Sequence, residues 1–117
     1  MTHGEKEMTE HDYGFEKFID LCRKKDYGNP IVGDWLVESS RRFVSSMGLQ
    51  KDSDYEDFVQ AGILRMFREL PRLDYSRQPP QLFNYLRRSC EWGVKDELKR
   101  RQRFLRKKNL YTYTLQK

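Results

Sequence analysis

The sequence contains few of the side chains from which catalytic and metal sites are built. It has only two histidines, His3 and His11, and its two cysteines, Cys22 and Cys90, belong to no CxxC or Cys/His cluster. It also lacks a glycine-rich phosphate loop. Since a hydrolase or nuclease needs clustered histidines, carboxylates or metal ligands, the sequence predicts a protein that is not an enzyme and binds no cofactor or metal.

Long apolar segments are missing as well. Residues 1–12 are polar and acidic, unlike a signal peptide, and we expect them to form a flexible N-terminal tail. The basic C-terminal part has no long apolar run and no lipidation signal, which argues against a membrane role. Together with the two isolated cysteines, these features predict a chain that works in the reduced cytoplasm.

Charge is distributed unevenly along the chain. Residues 1–76 carry 11 basic and 15 acidic side chains, whereas residues 77–117 carry 12 basic and 3 acidic ones, so the net charges are −4 and +9. Clusters of lysine and arginine gain affinity for polyanions by neutralising phosphates and releasing counterions. The C-terminal part is therefore predicted to bind nucleic acid.

Apolar spacing and helix-boundary signals predict an all-α fold, a compact bundle of about four helices in one domain over residues 13–108. The first helix begins at Tyr13 and ends before Tyr27-Gly28. The second covers residues 30–47, because Asn29-Pro30 provides an N-cap followed by a proline at the first helical position.

The third predicted helix begins at a capping box, in which Ser53 and Glu56 satisfy each other's backbone N–H groups, and ends at Leu70 before Pro71. A surface loop over residues 72–81 follows. One stripe of this helix is expected to face the core, namely Tyr55, Val59, Gly62, Met66 and Leu70. The opposite stripe is half polar and half apolar, which suits a protein interface, although a broad core burying both stripes would explain it equally well.

The fourth helix is the longest, is strongly basic and extends to Lys108. Its expected core stripe is Phe83, Leu86, Cys90, Val94 and Leu98, and a second stripe is Tyr85, Arg88, Trp92, Lys95 and Lys99. Aromatic rings between cations suit single-stranded nucleic acid, because rings stack on unpaired bases while cations follow the phosphates. Alternatively, the rings cover core edges and the charges form a solvated face. Residues 109–117 alternate apolar and polar, as in a strand or a docking peptide.

Four segments between residues 57 and 100, in the same order, resemble region two of sigma factors. Residues 57–64 (DFVQAGIL) are similar to the D-L-x-Q-E-G-x-x-G-L signature, and residues 73–77 (LDYSR) to F-D-x-x-R. Residues 82–86 (LFNYL) resemble F-x-T-Y-A, and residues 94–100 (VKDELKR) resemble I-x-D-x-L-R-R. The similarity is greatest to late-transcription sigma factors of T-even-like phages and covers roughly residues 13–110.

The resemblance implies a minimal sigma factor in the cytoplasm of a bacterial host. Its third helix would bind the clamp helices of the largest subunit of core RNA polymerase through Asp57, Gln60, Ile63, Leu64 and Phe67. Its fourth helix would recognise and open a −10-like promoter element, including the single-stranded non-template strand. The DNA-binding positions implied are Phe83, Tyr85, Arg87, Arg88, Trp92, Lys95, Lys99, Arg100, Arg101 and Arg103.

The sequence departs from the family pattern at several positions. Ala61 replaces an acidic residue, and Arg88 and Ser89 replace the paired tryptophans that follow F-x-T-Y-A, so Trp92, one turn further on, would have to act as the base-flipping wedge. We also expect no −35-binding domain, and therefore help from a coactivator or sliding clamp. The attachment residues would be Leu110, Tyr111, Tyr113 and Leu115.

Two other hypotheses about the function of the chain remain open. The chain could be a phage nucleic-acid-binding or polymerase-modulating protein that does not initiate transcription itself, as the missing tryptophan pair suggests. It could instead be a helix-turn-helix repressor, but such proteins read the major groove with a short recognition helix, and a long continuous basic helix argues against this class.

Overall fold

The computed structural model describes residues 10–116, apart from the side chains of 10–13, 106 and 108–116. Four α-helices account for most of this part: α1 (Glu10–Arg23), α2 (Pro30–Ser46), α3 (Tyr55–Glu69) and α4 (Pro79–Gln116). A 3-10 turn, Leu70–Arg72, follows α3, and the described residues contain no strand. The all-α prediction of about four helices with a long C-terminal basic helix is confirmed.

The start of α2 forms as the sequence predicts. The side chain of Asn29 accepts a hydrogen bond from the backbone N–H of Ile31 at 3.0 Å, and Pro30 occupies the first turn, where its missing N–H would have no helical partner. After α2, Gly48 takes a positive φ of 81°, which only glycine adopts without strain. Helix α2 therefore ends where the sequence indicated.

The predicted capping box of α3 is wrong. Helix α3 begins at Tyr55 with Asp54 as its N-cap, and the cap side chain makes no hydrogen bond to the helix. The Glu56 carboxylate instead pairs with Arg41 of α2, with an N–O distance of 2.8 Å. The Glu56 side chain thus forms an ion pair with another helix and does not cap α3.

Two boundaries around α4 also differ from the prediction. The loop is shorter than residues 72–81, because Pro79-Pro80 lies in the first turn of α4, where prolines are tolerated. At the other end α4 continues to Gln116, so the strand-like interpretation is wrong for residues 109–116. A strand needs a neighbouring strand for its backbone groups, whereas a helix satisfies them within itself. Helix α1 likewise begins at Glu10, inside the predicted tail.

The four helices enclose a single core. Its largest fully buried side chains come from every helix and include Phe18, Leu36, Phe58, Met66 and Leu86. The backbone of α3 comes close to both of its neighbours at Gly62, where an added methyl group would lie 2.5 Å from the sulfur of Cys90 and 2.6 Å from the hydroxyl oxygen of Ser40. This close packing fixes α3 between α2 and α4, and so sets which of its sides faces solvent.

Candidate protein and nucleic-acid interfaces

The half polar, half apolar stripe of α3 lies on the side that faces solvent. We call it the outer stripe of α3, and it consists of Asp57, Gln60, Ile63, Leu64 and Phe67. Leu64 is 63% exposed and Phe67 is 48% exposed, and Asp57 and Gln60 are exposed beside them. Ile63 is half-buried and packs against the core. The alternative in which the core buries both stripes of α3 therefore does not hold. The inner stripe is buried as predicted except for Tyr55, which is half-buried, and Phe58 joins it.

The Asp57 carboxylate is not isolated on this surface. It accepts a hydrogen bond from the Arg101 guanidinium at 2.8 Å, and the same guanidinium pairs with Asp54 at 2.9 Å and Glu97 at 3.0 Å. The guanidinium also lies 5.4 Å from the ring centre of Phe58, within cation–π range. Arg101 therefore ties the basic part of α4 to the start of α3, linking a predicted polymerase-binding residue to a predicted DNA-binding residue.

The neighbouring Arg100 is also engaged within the chain. It donates two hydrogen bonds to Glu97, at 2.6 and 3.1 Å. These bonds are the main reason why the pKa of the Glu97 carboxyl lies below its usual range, and the bond from Arg101 adds to them. Arg100 and Arg101 are consequently partly neutralised, whereas the exposed side chains of Lys99 and Arg103 have no ion pair among the described residues.

The outer stripe of α4 forms a half-exposed aromatic and basic surface. Tyr85 is 41% exposed and Trp92 is 43% exposed, and the cations of the stripe, Arg88, Lys95 and Lys99, are exposed. The rings therefore do more than seal core edges, because almost half of each is available to a partner.

The ring of Tyr85 is held in place by its hydroxyl group. The hydroxyl donates a hydrogen bond to the buried Glu69 carboxylate at 3.1 Å, and Arg65 lies 3.7 Å from the other oxygen of that carboxylate. Desolvation and this hydrogen bond both raise the pKa of Tyr85, so the phenol stays protonated and remains a donor. Tyr85 thus offers a ring face whose orientation is fixed before any ligand arrives.

Two predicted DNA-binding residues lie elsewhere. Phe83 is half-buried and packs edge-on against the rings of Phe15 and Phe43, with centre distances of 5.4 and 5.8 Å, so it belongs to the aromatic part of the core. Arg87 pairs with Glu91 at 3.3 Å and, two residues from Tyr85, projects from the other side of α4. Neither contributes to the outer stripe.

A cleft beside Tyr85 contains residues that the sequence analysis missed. It has a volume of about 540 Å³ and lies between the loop before α4 and the first turns of that helix. Besides Tyr85 and Arg88, its polar lining is Arg72, Asp74, Arg77, Gln81 and Asn84. The signal for Arg77 was present, since it ends the segment that resembles F-D-x-x-R, but the path of an irregular loop cannot be read from periodicity.

The predicted attachment residues 110–115 lie in the helical part of α4, and their side chains are outside the described residues. Their docking role stays a prediction. Within residues 10–116 no helix combines the length and apolar character needed to cross a lipid bilayer.

No protein-family model matches the sequence, and no curated protein or solved structure is significantly similar to it. The sequence motifs and the two exposed stripes of α3 and α4 are therefore the features of this chain that bear on its function.

Proposed function

We propose that this chain is a minimal sigma-like factor, which binds core RNA polymerase through the outer stripe of α3 and engages a −10-like promoter element through the outer stripe of α4. The observation that carries the proposal is the exposure of Leu64 and Phe67 beside Asp57 and Gln60. These are the positions that the resemblance to region two of sigma factors assigns to polymerase. The site of action would be the bacterial cytoplasm.

The polymerase-binding part of the proposal rests on the chemistry of the α3 stripe. Full burial of a leucine or phenylalanine side chain is worth about 1.5–3 kcal/mol, so leaving Leu64 and Phe67 in water forgoes a sizeable gain. An apolar pair with a polar border is the usual anatomy of a protein interface. The amide of Gln60 and the free oxygen of Asp57 supply that border.

The DNA-binding part rests on the α4 stripe and the adjacent cleft. Tyr85 and Trp92 can each stack on an unpaired base, which is typically worth about 1–3 kcal/mol. The cleft beside Tyr85 is lined by Arg72, Arg77 and Arg88. If a base turned out of the DNA duplex stacked on Tyr85, its neighbouring phosphates would lie close to these arginines. Opening of a promoter requires such capture of single-stranded bases.

The departure from the tryptophan pair is consistent with the packing of α4. Ser89 is fully buried and donates a hydrogen bond to the carbonyl oxygen of Tyr85 at 2.9 Å, so position 89 has no access to DNA. Trp92 lies about one turn further along and is exposed. The proposal therefore assigns the wedge role to Trp92.

The decisive experiment measures binding of the purified chain to core RNA polymerase and transcription from supercoiled phage DNA. We expect Gln60→Ala/Phe67→Ala to abolish both core binding and specific starts. Val37→Ala, which trims a partly exposed apolar side chain on α2, serves as the matched control and should retain both. Equal behaviour of the two variants would contradict docking through α3.

A second candidate function is a nucleic-acid-binding or polymerase-modulating protein that does not start transcription. The burial of Ser89 favours it, because the usual wedge position is closed. Core binding without specific starts would identify a modulator, whereas DNA binding without core binding would identify a nucleic-acid-binding protein. Trp92→Ala with unchanged promoter opening would exclude the wedge role.

A further inference from the structure

The α4 helix carries two exposed apolar side chains beyond the core. Among the side chains of α4 that the structure describes, the last one packed against the core is Leu98, which is half-buried. Six and seven residues further on, Phe104 and Leu105 are 65% and 54% exposed, more than any other pair of adjacent apolar side chains that the structure describes. Neither belongs to the stripes of the proposed function.

These two side chains line a hollow on the surface next to the start of α3. The hollow has a volume of about 670 Å³, and its other lining residues are Asp54, Arg100, Arg101, Arg103 and Lys107. Its volume is sufficient for several side chains of a partner. Apolar and basic groups thus share one concave surface.

The charge around the hollow is positive and only partly neutralised. No acidic residue follows Glu97 in the sequence. Arg100 and Arg101 are paired with carboxylates of this chain, but Arg103 and Lys107 make no ion pair within the part of the chain that the structure describes. A partner that covers Phe104 and Leu105 will therefore meet two uncompensated cations.

We propose that this surface, comprising Arg103, Phe104, Leu105 and Lys107, docks an acidic amphipathic helix of another protein. The apolar side of that helix would cover Phe104 and Leu105, and its aspartates or glutamates would pair with Arg103 and Lys107, as in other helix-in-groove complexes. The inference shares only Arg103 with the DNA-binding positions that the sequence resemblance implies, and it uses neither outer stripe.

Nucleic acid and lipid fit this surface less well. A nucleic-acid backbone would pair its phosphates with the cations of this surface. It has no apolar group that could cover Leu105. Insertion into an anionic membrane needs a continuous apolar face, whereas only two apolar side chains are exposed between residues 99 and 105. A protein interface uses both kinds of group together, because phenylalanine and arginine are enriched there.

The test uses the full chain and a fluorescein-labelled synthetic peptide, an amphipathic helix with leucines on one side and glutamates on the other. A comparison peptide keeps every glutamate and replaces the leucines by serines. By fluorescence anisotropy we expect the amphipathic peptide to bind at least about tenfold more tightly than the comparison peptide. Phe104→Ser/Leu105→Ser should remove that preference, and Gln102→Ser, an exposed polar position on the same stretch, should keep it.

Circular dichroism of each variant verifies that the helices are intact. Equal affinity for the two peptides would overturn the proposal, since it would mean that charge alone attracts them. A single-stranded oligonucleotide and phosphatidylserine vesicles provide the other two comparisons. If Phe104→Ser/Leu105→Ser weakens binding of either one as much as binding of the amphipathic peptide, the surface belongs to that ligand instead.

Discussion

At the scale of single residues, the fold leaves four large apolar or aromatic side chains exposed on the outer stripes of α3 and α4, namely Leu64, Phe67, Tyr85 and Trp92. Helical periodicity places these four residues opposite the buried stripes, but only the structure shows that this side of each helix faces solvent rather than a second part of the core. The pairing of Arg101 with three carboxylates could not be predicted, since Asp54, the N-cap of α3, and Asp57 in its first turn lie more than forty residues earlier in the chain. Sequence spacing shows which side of a helix a residue occupies, but it does not show which side chain of another helix pairs with that residue.

Two variants of Tyr85 can distinguish the contribution of its ring to DNA binding from the contribution of its hydroxyl group to stability. Tyr85→Phe keeps the ring but removes the bond to Glu69, so we expect a loss of about 1 kcal/mol in unfolding free energy and nearly unchanged binding of single-stranded DNA. Tyr85→Ala should weaken that binding by about 1–3 kcal/mol, measured by titration of a labelled oligonucleotide. Equal binding losses in the two variants would show that the hydroxyl, rather than the ring, contacts DNA.

Glu97 gives the fold a predictable response to acid. Its carboxyl has a pKa below the ordinary value in the folded chain, chiefly because Arg100 donates hydrogen bonds to it. Its contribution to stability is therefore fully present above the unfolded pKa, about 4.3, and is lost as the pH falls toward the folded value. Urea unfolding at a series of pH values should show a shallower acid loss for Glu97→Gln. Glu16→Gln on the exposed side of α1 should retain the wild-type profile.

At the scale of helices, existence and order were predictable, whereas ends were set by tertiary contacts. The Asn29-Pro30 signal acts locally and was correct, but the Ser53–Glu56 box did not form, because Asp54 rather than Ser53 is the N-cap and Glu56 is then one position too early. The positions of Arg72 and Arg77 in the cleft were not predicted, for a related reason. Their convergence depends on how the chain turns between α3 and α4, which no periodic pattern encodes.

Two glycines test how closely the helices approach one another. Gly62→Ala would place a methyl group against Cys90 and Ser40, so we expect a loss of about 1–3 kcal/mol in unfolding free energy. Gly33→Ala on α2 is the matched control, because a methyl group there meets nothing within 4 Å and should stabilise the helix by about 0.4–1 kcal/mol. Urea titration measures both. A neutral effect of Gly62→Ala would mean that α3 shifts outward at little cost.

At the scale of the whole molecule, the separation of charge sets where the proposed binding of nucleic acid would take place. The chain has a net charge of +5, but the C-terminal 41 residues alone carry +9, and exposed cations of α4 surround Tyr85 and Trp92. The outer stripe of α3 contains no cation and combines Asp57 and Gln60 with the exposed apolar side chains of Leu64 and Phe67. Two partners of different chemistry can therefore bind the same bundle without competing for one surface.

Salt dependence distinguishes local contacts from net charge. If Arg88 touches one phosphate, Arg88→Gln should reduce the slope of log affinity against log salt for single-stranded DNA by about 0.7. Arg42→Gln changes the net charge equally but lies on α2, where it pairs with Glu38, and should leave the slope unchanged. Identical slopes for the two variants would indicate that binding follows net charge alone.

The ion pair between Asp57 and Arg101 also has an evolutionary consequence. Loss of either partner leaves the other with an altered set of charges beside Phe58, so mutations at the two positions should not accumulate independently. In descendants of this sequence, a neutral residue at position 57 should occur together with Arg101 only where Asp54 and Glu97 are still acidic and hold the guanidinium. Selection on one face of the bundle would then constrain the chemistry of the other.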